Sequence, residues 1–234
     1  MLVAVALCPQ PPLLIPAVAG KIAPELDVCR QACAQVIDIV RAALPDRVVL
    51  VGGGSQTRAH SGDAVGSLHR LGINIRLGAG DGPTTLPLSL GVARWLYDEY
   101  APGGPETVAQ EIAADASSDD CREVGAGLVS GWERIALLVA ADGSAYPLQH
   151  PVGDDGRGGA YDDRIAAALE HADADALLAL DPADDGPLWA SGRPALQVLG
   201  GALQASANPQ WRGRIHWRGA PYGVGYLVAS LDLP

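Results

Sequence analysis

The chain has 234 residues, a formal net charge of −11 and 48% hydrophobic residues, enough apolar material for a substantial core. A chain this acidic, with no basic stripe among aromatics, repels phosphate backbones and anionic bilayers, so neither nucleic acid nor a membrane is expected as a partner. The N-terminal apolar run is too short for a membrane span and has no basic flank, and a cytoplasmic protein is expected.

No Pro-rich or Ser/Gly-rich linker divides the sequence, so one domain over residues 1–234 is the expectation. Phe is absent and Met occurs once, which leaves Val, Leu, Ile and Ala to fill the core, the usual packing of a buried sheet between helices.

Leu2 to Leu7 is an apolar run stopped by Pro9, Pro11 and Pro12, and reads as a buried strand opening into a rigid turn. In an open α/β sheet ligands sit beyond such strand ends, which puts Cys8 and Gln10 at the mouth of a crevice. From Glu25 to Leu44 apolar residues recur at three and four, predicting an amphipathic helix whose face includes Leu26, Cys29, Cys33 and Leu44. Arg47 to Val51 predicts a second strand, paired in parallel with the first through a crossover. Gly52, Gly53 and Gly54 follow; with neither G-K-[ST] nor G-x-G-x-x-G nearby, they read as a glycine turn rather than a phosphate loop.

Leu71 to Leu77 suggests a strand and Leu88 to Tyr97 a helix, while Thr107 to Ala113 stays open between the two. Asp119 to Val129 reads as a helix, and Ile135 to Ala140 as a strand ending in the polar turn Ala141-Asp142-Gly143-Ser144-Ala145. Helices are expected over Asp162 to Glu170, Ala174 to Leu180, Leu188 to Trp189 and Ala195 to Ala205. A strand is expected at Arg214 to Trp217, and Pro221 to Leu231 suits a closing strand beside the crevice. Cys29 and Cys33 share a helix face, and without a C-x-x-C they read as packed thiols rather than a metal or redox pair.

The segments PQPPLL from Pro9, VGGG from Val51, the ADGSA turn from Ala141 and PYGVGY from Pro221 together resemble class III extradiol ring-cleavage dioxygenases of the subunit-B type and the related Memo-like proteins. The helix around Tyr161-Asp162 and LLALDP from Leu177 extend the likeness over nearly the whole chain. The resemblance implies a three-layer α/β/α sandwich with a largely parallel or mixed central sheet and an active site at strand ends. It also implies Fe(II), held by imidazoles and a carboxylate with positions open for a catecholate and dioxygen. The family's histidines fall where this chain has Gln10, a residue near Gly53, and Ala145, so the imidazoles are missing at all three places.

Three readings follow. The leading one is a dioxygenase-like protein that has lost its iron, needs no cofactor, and binds a small molecule or a protein partner in the old crevice. Cys8, Gln10, Gly53, Gly54, Asp142, Ser144 and Tyr222 are the candidate lining, and a homo-oligomer is compatible with it. The alternative is a working Fe(II) dioxygenase or other metal-dependent oxidoreductase that rebuilds its metal site from His60 and His150, which lie in polar segments that can fold back. His69, His171 and His216 are expected at the surface or on helix flanks. The third reading is a metal-independent hydrolase or transferase with Ser55, Ser144 or Cys8 as nucleophile, although no G-x-S-x-G elbow is present.

Overall fold

A computed structural model describes residues 1–79, 81–145, 156–206, 208 and 210–234. The apolar runs become the strands of a seven-stranded sheet: β1 (Leu2–Cys8), β2 (Arg47–Gly54), β3 (Arg58–His60), β6 (Thr107–Ala113), β7 (Ile135–Ala140), β8 (Arg212–Gly219) and β9 (Tyr226–Asp232). β4 (Gly66–Ser67) and β5 (Arg76–Leu77) form a separate two-stranded ladder. The order across the large sheet is β3-β6-β2-β7-β1-β9-β8. Its centre, β6-β2-β7-β1, is parallel, whereas β3, β9 and β8 are antiparallel additions. The fold is therefore a three-layer α/β/α sandwich around a mixed sheet, as expected.

The helices are α1 (Pro16–Ala19), α2 (Asp27–Ala42), α3 (Leu88–Tyr100), α4 (Ser118–Leu128), α5 (Arg157–Glu170), α6 (Ala174–Leu178), α7 (Asp185–Leu188) and α8 (Arg193–Ser206). Alternation along the strands sends residues to the two faces in turn. Ile135, Leu137 and Val139 of β7 join the core under α4, α5, α6 and α8, while Ala136, Leu138 and Ala140 join the core under α2 and α3. In β1 a register irregularity between Leu2 and Ala4 puts both Val3 and Ala4 on the α2 and α3 side. Cys8, Cys29 and Cys33 are packed there with no disulfide, and Cys121 lies buried in the other core.

Several expectations need correction. The β1 and β2 strands run parallel but do not pair, because β7 lies between them. Leu44 is not on the buried helix face: α2 ends at Ala42, and Leu44 turns to φ 46 and is exposed. Within the stretch from Leu71 to Leu77 only Arg76–Leu77 is a strand, whereas Leu71 closes a 3-10 turn. Trp189 sits just past α7 in a left-handed conformation rather than in a helix. The Thr107–Ala113 segment, which its sequence leaves open, is a strand between β2 and the edge strand β3.

The three glycines form strand rather than turn, and Gly52, Gly53 and Gly54 pair with Glu111, Ile112 and Ala113 of β6. Close neighbours explain why side chains are missing there. A Cβ on Gly52 would lie 2.8 Å from Ser89 Oγ, and one on Gly54 would overlap the Glu111 carboxylate.

Candidate functional site

The C-terminal ends of β1, β2 and β7 meet the N-terminus of α3 and the entry to β9, and together they enclose a cleft of ≈ 560 Å³. Such a position is the one an α/β sheet offers to ligands. Gln10 and Pro11 come from the turn after β1, Gly53 and Gly54 from β2, and Asp142 from the turn after β7. Leu88 and Ser89 come from α3, Ser191 from the segment before α8, and Val224 and Tyr226 from the last strand and its approach.

Gln10 and Asp142 are locked together. The Gln10 backbone N–H donates to Asp142 Oδ1 at 2.9 Å, and the Gln10 side-chain amide donates to Ser191 Oγ at 3.0 Å. Gln10 Oε1 is buried with no hydrogen-bond partner among the described residues, an arrangement that leaves an acceptor unsatisfied at the cleft. Burial pushes the Asp142 carboxyl up to about 7; the nearby Asp162 adds to the rise and the Gln10 N–H opposes it.

Asp162, on α5, sits behind this floor. It accepts from the Ser144 N–H at 2.7 Å and from Ser144 Oγ at 3.2 Å. Its carboxylate presses against Gly143 and Gly225, where a Cβ would overlap it. Burial raises its pKa, and the Ser144 donors only partly offset that.

Of the seven candidate residues, Gln10, Gly53, Gly54 and Asp142 come together in the cleft. The other three are elsewhere. Cys8 points into the core under α2, Ser144 is buried against Asp162, and Tyr222 is exposed, its hydroxyl donating to Glu25. Among the described residues no histidine bonds to Ser55, Ser144 or Cys8, so the nucleophile reading finds no imidazole base there.

His60 does not turn toward the cleft. It lies on the short edge strand β3, 8% exposed, with Nε2 at 2.9 Å from Glu111 Oε2 and Nδ1 at 3.2 Å from Thr85 Oγ1. A carboxylate on Nε2 requires the proton there, and Nδ1 shares a hydrogen bond with the Thr85 hydroxyl, so both ring nitrogens are engaged. His150 lies outside the described residues. His216, expected at the surface, is half-buried on β8 and bonds to Ser230 Oγ at 2.9 Å. Among the described residues the donors do not fit Fe(II): the cleft lining offers one carboxylate and an amide oxygen, and no set of three or more His, Cys, Asp or Glu side chains converges for a metal.

Sequence reasoning missed a second hollow. It has a volume of ≈ 490 Å³ and adjoins the first through shared walls at Ala114 and Ser191. Asp185, Gly186, Trp189, Ala190 and Pro194 complete it. Asp185 Oδ2 accepts from Arg193 Nε at 2.6 Å, while its Oδ1 is buried without a partner among the described residues. An aromatic beside a Gly-Pro-rich turn was the one available signal, and it was read as helix.

No protein-family model matches the chain, and no curated protein matches it. Among solved structures it is similar to the uncharacterized protein JW3007 from Escherichia coli K12, with a TM-score of 0.60 and 12% sequence identity over 97% of this chain and 99% of that one. At that identity the likeness carries the fold alone.

Proposed function

We propose that this dioxygenase-like scaffold has lost its ancestral iron chemistry and binds a small molecule in the cleft at the ends of β1, β2 and β7, without a metal. The observation that carries the reading is Gln10. Where the resembling enzymes place an imidazole, this chain has an amide that is bonded to Ser191 through its nitrogen and leaves a buried carbonyl oxygen unsatisfied. Together with Asp142 it makes a pair of acceptors that suits a ligand rich in hydrogen-bond donors. The Fe(II) alternative asks His60 to abandon Glu111 and Thr85, which would leave a buried carboxylate short of a partner.

Gly53 provides the test. A Cβ there meets only the Ser191 carbonyl, at 3.4 Å, so the strand has room for a β-carbon at this position and the γ-methyls of Gly53→Val are expected to narrow the cleft. Small molecules that raise the melting temperature of the protein are expected to lose their effect in Gly53→Val and to keep it after chelation. Binding that vanishes on chelation and returns with ferrous iron would overturn the proposal.

A further inference from the structure

The two adjoining hollows differ in chemistry, and the difference defines a ligand. Among the described residues, the charged side chains lining them are Asp142 in one and Asp185 in the other, both acidic. Arg193, the cation beside Asp185, is 1% exposed and spent on four bonds, to Asp185, Gln197 and the carbonyls of Ala114 and Ala116. Gln10 Oε1 and Asp185 Oδ1 add two buried acceptors without a donor among the described residues. An anionic ligand would meet these carboxylates with no cation among the described lining residues to offset them, which is unfavourable in a partly desolvated site.

The remaining wall is apolar. Ala114, Ala190 and Pro194 face the second hollow beside Trp189, which is 64% exposed and held at φ 50 and ψ 38. A bulky non-glycine residue in the left-handed region costs conformational energy, so the fold keeps an exposed indole at the rim against its own backbone preference.

From this pairing we infer that the ligand is a cationic amine with an apolar body, its ammonium between Asp142 and Gln10 and its body passing Ser191 and Ala114 to lie on Trp189. The inference rests on the small-molecule reading of the cleft and gives it a substrate class. Proton linkage follows from the same geometry. Among the described residues, Asp162 of α5 raises Asp142, and Cys29 of α2 and Tyr226 of β9 feel the Asp142 charge. An alkylammonium is charged throughout the neutral range, so binding strengthens as Asp142 ionises with rising pH and levels off above about 7.

Calorimetric titration of the whole chain with hexylamine, hexanol and hexanoate is the experiment. Hexylamine is expected to bind at least tenfold more tightly than hexanol, and hexanoate not to bind. Asp142→Asn should weaken hexylamine at least tenfold and hexanol far less. Trp189→Ala should weaken hexylamine several-fold and spare methylamine, which has no body to reach the indole. Hexanol or hexanoate binding as tightly as hexylamine overturns the amine class, as does indifference to Asp142→Asn or the binding of none of the three. If hexanol binds and Gly53→Val abolishes that binding, the small-molecule cleft stands and only the amine fails.

Discussion

His60 Nε2 lies 2.9 Å from Glu111 Oε2, with both side chains sealed from solvent. The same carboxylate accepts from Arg58 Nε at 2.9 Å and from the backbone N–H groups of Ser55 and Gln56 at 2.8 and 3.2 Å. One buried anion thus ties the edge strand β3 and the exit of β2 to β6, and the histidine that looked free for a metal is part of the framework.

Removing that anion should be costly. Glu111→Ala strips four donors of their acceptor and is expected to destabilise the chain by about 3–5 kcal/mol in urea unfolding. Burial by itself would raise the Glu111 pKa, but the Arg58, His60, Ser55 and Gln56 donors outweigh it and the pKa is lowered. A lowered carboxylate pKa gives stability that is fully present above the unfolded value near 4.5 and is lost as pH falls through the lower folded value. The gap between wild type and Glu111→Ala should therefore narrow in acid; a gap independent of pH would contradict this assignment.

Arg193 is the corresponding support on the other side of the cleft. Its guanidinium fastens the chain after β6, through the Ala114 and Ala116 carbonyls, to Asp185 and Gln197. Arg193→Met keeps the apolar stem but orphans these groups, and a loss of about 3–5 kcal/mol is expected. Because Ala114 lines both hollows, any ligand found for the cleft should also bind more weakly to the folded variant, measured well below its unfolding midpoint.

The parts of this fold that could be read from sequence are those whose residues carry their own signal. β1, β2 and β7 are continuous apolar runs because both faces of a central parallel strand are buried, and α2 shows its face in Leu26, Cys29 and Cys33. β6 stayed ambiguous because Glu111 in its middle is buried only by virtue of Arg58 and His60, brought by a strand some 50 residues earlier in the chain. Gly52 and Gly54 looked like a turn because their closeness to Ser89 and Glu111 is a tertiary fact. Gln10 and Asp142 were found by their place at strand ends; Ser191, Asp185 and Trp189 arrive from the turns around α7, and no local pattern connects them with β1.

The cysteines give a chemical check on the packing. All four are buried. Burial pushes Cys121 up to about 11; Cys29 is raised by its hydrogen bond with Cys33 and by burial, and Cys33 is raised too, its bond from Cys29 outweighed by the bond to Cys8 and by burial. Thiolate is the reactive form, so the native protein at pH 8 should resist iodoacetamide and all four cysteines should react once guanidinium unfolds it. Rapid labelling of Cys8 in the native state would show that the core under α2 opens.

Asp142 gives the opposite pH signature to Glu111. Its folded pKa, about 7, lies above the ordinary value of 3.8, chiefly through burial and then through Asp162. A raised carboxyl pKa favours the protonated native state: that stabilisation is complete below the unfolded value and is lost as pH climbs through about 7. Asp142→Asn keeps an acceptor for the Gln10 N–H but carries no charge, so it mimics the protonated form at every pH. Its melting temperature should match wild type near pH 4 and exceed it by several degrees at pH 8, the same change that should weaken amine binding. Equal melting temperatures at pH 8 would mean that the carboxylate is solvated in the cleft, and the acidic subsite would then have no desolvated charge with which to select a cation.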